Sequence, residues 1–190
     1  KVSIVNQFGA VSVKPSTGNY VLVNATIYSD KVEVDHTQNK SRVDVQSHLL
    51  SGATPENSRV DYEVLIPADA SVDMESSTGP LHAERLHGDV EAEGANATID
   101  VRDITGSHVH VKTMAGPITL TNIRDGHVEI DSVSGDVTLT SVTGPLVRVS
   151  STSGKIQYDG DFGYAGEYRF NSHSGNIDAK GSAPVTIEFS

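Results

Sequence analysis

The sequence predicts an all-β chain wound as a β-solenoid, a single-stranded β-helix with coils of about 19 residues, on three observations. A glycine-centred phrase recurs: Ser77-Thr78-Gly79-Pro80-Leu81, Ala115-Gly116-Pro117-Ile118, Ser134-Gly135-Asp136-Val137, Ser153-Gly154-Lys155-Ile156 and Ser174-Gly175-Asn176-Ile177. Gly116, Gly135 and Gly154 are each 19 positions apart, and Thr98 stands 19 after Gly79, in a glycine slot. Apolar residues flank each slot at offsets of two, as Val133, Val137 and Leu139 do around Gly135, and side chains two apart in a strand share one face. No window carries apolar residues at helical spacing between caps.

Taken in order, the chain opens with a looser form of the phrase. Gly9 to Val13 alternates with period two, Pro15 to Asn19 forms a turn, and Tyr20 to Tyr28 is a long strand. Lys31 to Asp35 and Arg42 to Gln46 alternate charged residues with Val and read as half-exposed strands. His48 to Ser58, with Gly52, Pro55 and Asn57, reads as a surface loop, under which Leu49 and Leu50 tuck. Arg59 to Ile66 is a further strand, ended by Pro67, which cannot continue a ladder. Residues 1–190 thus form one domain, with irregular N-terminal coils over 1–73 serving as a cap and regular repeats over 74–190.

A second glycine series, Gly88, Gly106, Gly126 and Gly144, falls at the half-steps, so each coil holds at least two strands joined by corners. Stacking the coils about 4.8 Å apart buries a continuous Val, Ile and Leu interior. Aligning Val90, Val109, Val128 and Leu146 as one inward column fixes what lies outside it. Gly154 to Gly175 is 21 positions, and the excess falls in Asp159 to Gly166, an insertion at a corner close to the C-terminal end.

The runs Val60-Asp61-Tyr62-Glu63-Val64 and Ile66-Pro67-Ala68-Asp69-Ala70-Ser71-Val72, followed by the serial glycine repeats, resemble the bacterial putative-adhesin β-strand-repeat family. Asn6 to Val11 resembles that family's first repeat. The resemblance spans essentially the whole chain and implies a domain of unknown function in the bacterial envelope, periplasmic or extracellular, with no catalytic residues to carry over. The start at Lys1 fits removal of a leader or anchor.

Composition narrows the partners. The net charge is −11, acidic residues are spread along the chain, and no basic face exists to neutralise phosphates, so nucleic acid and anionic membrane surfaces are disfavoured. No apolar run approaches the ~18 residues of a membrane span, so this segment does not insert. The absence of cysteine excludes disulfides and thiol chemistry. There is no Gly-x-Ser-x-Gly elbow, phosphate loop or His-Glu-x-x-His helix, so no catalytic residue is assigned, no cofactor is expected, and the chain reads as a non-enzyme.

Three groups of side chains carry possible chemistry. In the assumed stack Asp89, Glu91, His108, His110, His127 and Glu129 form one outward patch, of which His108, His110, His127 and Glu129 are the metal-ligand candidates. Solvated ladder residues on an open face are the plainer reading. Thr119 beside Thr138 and Thr121 beside Thr140, in line with His82, Asp100, Gln157 and Asp178, form a hydroxyl surface on the opposite face. Phe162, Tyr164 and Tyr168, in and after the corner insertion, are the ligand-binding candidates. The expected function is an adhesin-like binding or scaffold module with a protein or glycan partner in the envelope. Its alternatives are a carbohydrate-active or metal-dependent enzyme and a structural spacer.

Overall fold

A computed structural model describes residues 1–163 and 166–182 of the chain. The strands begin with β1 (Val2–Phe8), β2 (Val11–Pro15), β3 (Leu22–Ile27), β4 (Val32–Asn39), β5 (Arg42–Leu49) and β6 (Val60–Ile66). The regular section follows with β7 (Val72–Thr78), β8 (Leu81–Glu84), β9 (Val90–Asn96), β10 (Ile99–Thr105), β11 (His108–Thr113) and β12 (Ile118–Arg124). It continues through β13 (His127–Ser132), β14 (Val137–Val142), β15 (Leu146–Ser151), β16 (Ile156–Gly160), β17 (Glu167–Ser172) and β18 (Ile177–Gly181). They form two facing nine-stranded sheets, ordered β17-β15-β13-β11-β9-β7-β1-β5-β4 and β18-β16-β14-β12-β10-β8-β2-β6-β3. Odd and even strands alternate between the sheets from β7 onward, so each coil supplies one strand to each, and the fold is an all-β solenoid.

Stacking order and chain order differ at the N-terminus. β1 pairs in parallel with β5 on one side and β7 on the other, and β2 does the same with β6 and β8. The first coil is therefore lodged inside the stack, and the coil built from β5 and β6 lies outside it. β3 and β4 run antiparallel to β6 and β5 and form the outermost strand of each sheet. This end is held by Asp61, whose carboxylate accepts from the Ala10 N–H (2.9 Å), the Tyr28 hydroxyl (3.0 Å) and the Arg59 guanidinium (2.7 Å). Burial pushes that carboxyl up, but these hydrogen bonds more than offset it and hold it below the ordinary value.

The interior is made of in-register columns. Leu81, Ile99, Ile118, Val137, Ile156 and Ile177 form one column; Met74, Ala92, Val111, Ile130, Val149 and Phe170 form another in the facing sheet. Nearly all are sealed from solvent. Each fully buried Val, Leu or Ile contributes roughly 1.5–3 kcal/mol relative to an exposed one, which is why alternation settles the register.

Three expectations about this interior are corrected. Leu146 does not continue the Val90–Val109–Val128 column: it pairs with His127, and Val147 pairs with Val128. Pro145 is one extra residue between Gly144 and the strand, so the following side chains shift by one. Val133 is not inward but 50% exposed; the inward residue at that corner is Ser132. The glycine slot is filled by Ala97 rather than Thr98, since Thr78 pairs with Asn96.

The corner chemistry explains the period. A Cβ on Gly135 would lie 1.9 Å from the Gly116 carbonyl oxygen, and one on Gly116 1.8 Å from that of Ala97. Coils approach so closely here that only glycine fits under a neighbour. Ala97 occupies its own slot because position 94 is glycine: a Cβ there would stand 2.5 Å from the Ala97 methyl. In the other coils position 94 is replaced by a polar residue three before the slot, giving the column Asn6, Ser76, Thr113, Ser132, Ser151 and Ser172, buried except for the half-buried Ser172. Thr113 accepts from the Gly116 N–H (3.1 Å), Ser132 donates to the Gly135 carbonyl (2.6 Å), and Ser151 accepts from the Gly154 N–H (2.9 Å). These bonds satisfy backbone groups that the turn takes out of the ladder. In the other sheet Asp103, Asn122 and Ser141 repeat a left-handed bend at φ of 54°, 56° and 54°.

Candidate functional site

The two outer sheet faces differ in chemistry, and strand register alone sets both. On the face of β11 and β13, His108 pairs with His127 and His110 with Glu129, so the four metal-ligand candidates form a two-by-two array. His127 Nδ1 and His108 Nε2 are 2.9 Å apart, with ring centroids at 4.8 Å. Asp89 Oδ1 accepts from the His108 backbone N–H (3.0 Å) and faces its Nδ1 at 3.4 Å. A carboxylate only accepts, so His108 carries a proton on Nδ1 and turns Nε2 toward His127. His110 stands between Glu91 (3.9 Å) and Asp131 (3.8 Å), and Glu129 faces Arg148 at 3.6 Å. Among the described residues no three His, Asp or Glu side chains converge as a preformed metal cage.

On the face of β8 to β18, two rows run across the coils. Parallel register aligns His82, Asp100, Thr119, Thr138, Gln157 and Asp178, and beside them Glu84, Arg102, Thr121, Thr140, Asp159 and Lys180. In the early coils His82 lies 3.3 Å from Asp100 and Lys14 3.4 Å from Glu84 across neighbouring strands, while Arg102 pairs with Asp100 at 2.7 Å within β10. Burial pushes the Glu84 carboxyl up, and hydrogen bonds from His82 and Arg85 more than offset it, leaving it below the ordinary value. The middle coils carry the four threonines, without charges.

The aromatic candidates fall elsewhere than expected. Phe162 is 2% exposed, stacked on Tyr158 at 4.7 Å, and Tyr168 is half-buried against Phe162 at 5.2 Å. They are core residues: Tyr158 extends the Leu139 column and Tyr168 the Val147 column, so larger side chains fill the interior at the C-terminal end. Of the ligand-binding candidates, Phe162 and Tyr168 are thus packed into the interior. Tyr164 lies outside the described residues.

Sequence reasoning missed two features. Met114 and Val133 are 62% and 50% exposed on successive coils of one corner, where they line a shallow groove with Lys112, Asp131 and Thr152. Their place one after the buried Thr113 and Ser132 is the signal that would have found them. A groove of about 770 Å³ at the N-terminal end is lined by Lys1, Tyr20, Val21, Lys40 and Pro67 among others. Its walls come from segments far apart in sequence, so no local pattern marks it.

With this geometry in place, the chain belongs to the Toastrack DUF4097 family, whose profile matches residues 1–189. It is similar over its full length to 93% of the chain of a solved structure, described as "a putative cell adhesion protein" from Clostridium sporogenes, at 12% identity and a TM-score of 0.43. No curated protein matches the sequence. No helix among the described residues is long and apolar enough to cross a membrane.

Proposed function

We propose that this chain is a non-enzymatic binding or scaffold module of the bacterial envelope, presenting the threonine-bearing face of β10 to β16 to an extended partner. The observation that carries the reading is the pair of in-register polar rows, whose repeat is fixed by the ~4.8 Å spacing of strands. A stiff, periodic array of hydroxyls suits a glycan or an extended protein segment, because its groups are held in place before binding and little ordering entropy is lost on contact. The resemblance to envelope adhesin-like repeats supports the location.

Glu56, Asp61 and Glu84 are held below the ordinary carboxylate range by hydrogen bonds, the direction of acceptors that stay ionised, whereas a general acid working near neutrality is displaced upward. The test is a pull-down of the purified chain against envelope extract and an array of cell-wall and surface glycans. Saturable capture that is lost in the Thr119→Lys, Thr138→Lys double variant supports the reading; capture indifferent to both changes refutes the assigned face.

A spacer reading is favoured by one observation: β3 is an outermost strand with Leu22 and Ile27 exposed at 43% and 46%. Sedimentation showing self-association that Leu22→Lys abolishes would turn the account toward it.

A further inference from the structure

We infer that His108 and His127 form a two-nitrogen site for one divalent transition-metal ion, with water completing the coordination and a preference for Cu²⁺. The site lies on the sheet opposite the threonine rows, so it stands or falls independently of the partner-binding face.

Ligand type selects the ion. His108 Nε2 and His127 Nδ1 are 2.9 Å apart, near enough for both to reach one ion at ~2.0–2.1 Å. For a site of imidazole nitrogens and water, affinity rises from Ni²⁺ to Cu²⁺ and falls again at Zn²⁺, so Cu²⁺ binds tightest. In the ion-free pair the same distance is bridged by a proton, so the two lone pairs point along one line. Binding needs a modest rotation of the rings to converge them. The His108 side chain is 69% exposed, so the rotation meets little packing resistance.

Orientation and access come from neighbours. Asp89 holds the Nδ1 proton of His108 and leaves Nε2 free to ligate, the arrangement by which a carboxylate behind a histidine fixes its tautomer and strengthens it as a donor. His127 ligates by passing its proton to Nε2, the nitrogen that does not face His108. His110, Glu129 and Leu146 line the shallow depression with the pair. Parallel pairing of β11 with β13 anchors both backbones, so the spacing is a property of the fold and not of a loop. Glu129 faces Arg148 at 3.6 Å and His110 stands between Glu91 and Asp131, so only His108 and His127 bring two ring nitrogens together, and the ion takes these two as its protein ligands.

Isothermal titration of the full chain with Cu²⁺, Ni²⁺ and Zn²⁺ salts, with electron paramagnetic resonance of the Cu²⁺ form, tests the site. The expected result is one saturable ion per chain, tightest for Cu²⁺, with hyperfine splitting from two imidazole nitrogens. His108→Ala and His127→Ala each weaken it at least about tenfold, Asp89→Asn by about tenfold, and His82→Ala on the other sheet leaves it unchanged. His127→Gln keeps a polar side chain beside His108 and gives the same loss, which separates ligation from any effect on folding. No saturable binding below about 1 mM, or binding that survives loss of both histidines, overturns the proposal.

Discussion

The stack from β7 onward and the N-terminal wrap of β3 and β4 use the same residue types to opposite ends. In the stack the inward positions are sealed: β14 turns Val137, Leu139 and Val142 inward, all fully buried, with the left-handed bend at Ser141 stretching the last step from two residues to three. In β3, with a similar content of Leu, Val and Ile, only Val23 is even half-buried. The difference is neighbours. A stack strand has a coil on each side and the facing sheet beneath it, whereas β3 has one flank, runs backwards, and lies past the end of the core. Hydrophobicity supplies the drive to bury; position in the stack decides whether burial is available.

The largest expected separation between the two regions comes from glycine. Gly135→Val places atoms where the Gly116 carbonyl already stands and is expected to cost more than about 3 kcal/mol, read as loss of a cooperative thermal transition. Gly52→Ala in the N-terminal loop meets nothing within 4 Å and bears only the strain of its φ of 83°, about 1–2 kcal/mol. Next come the core truncations. Leu139→Ala should lose about 2–5 kcal/mol in urea unfolding, while Leu22→Ala should lose under about 0.5 kcal/mol. Equal losses would mean that β3 packs more deeply than it does here.

Smaller effects distinguish the two buried tyrosines. The Tyr158 hydroxyl shares its one proton between the carbonyls of Val142 (2.9 Å) and Asp161 (3.0 Å). Tyr62, in β6, has its hydroxyl beside Ser47 without a hydrogen bond of ordinary geometry. Tyr158→Phe should therefore cost about 1–2 kcal/mol, and Tyr62→Phe should be neutral or stabilising by up to about 1 kcal/mol. Burial raises both phenols, Tyr62 to about 12. A raised folded value means that stability is intact below the unfolded value near 10 and falls as pH rises through about 12. Tyr62→Phe should shrink that alkaline loss without abolishing it, because Tyr158 still contributes. At the acid end Asp61 has the opposite sign: its hydrogen bonds stabilise above the unfolded value near 4 and are lost as pH falls below it. The Tyr28 contact should loosen first on acidification, and Asp61→Asn should remove that step.

Much of the stack was legible because close approach leaves a mark in sequence. A carbonyl packed against a Cα forces glycine, and the repeat of that contact gives the count of 19. The same logic gave the threonine rows and the placing of His108 beside His127, since side chains one period apart must be neighbours. What failed were departures of a single residue. Pro145 slips Leu146 into the histidine row, and Ala97 with Gly94 disguises a slot by exchanging which residue carries a side chain. Phe162 and Tyr168, in and after the insertion, were candidates for ligand contact, yet near this end of the core the interior takes large side chains. The return of β5 and β6 to the outside of β1 and β2 left no trace, because parallel pairing with either flank makes the same demands on the sequence.

That return is the claim on which the account of the N-terminal end depends, and engineered crosslinks test it most directly. The chain has no cysteine, so any disulfide is attributable to the pair introduced. Val5 lies in register between Gln46 and Glu75, all on the outer side of one sheet. Neighbouring parallel strands stand close enough for a disulfide, and strands two apart, at about 10 Å, do not. The account predicts efficient oxidation of Val5→Cys with Gln46→Cys and of Val5→Cys with Glu75→Cys, and none of Gln46→Cys with Glu75→Cys. Ready crosslinking of that last pair would place β5 directly against β7 and contradict the threaded stack.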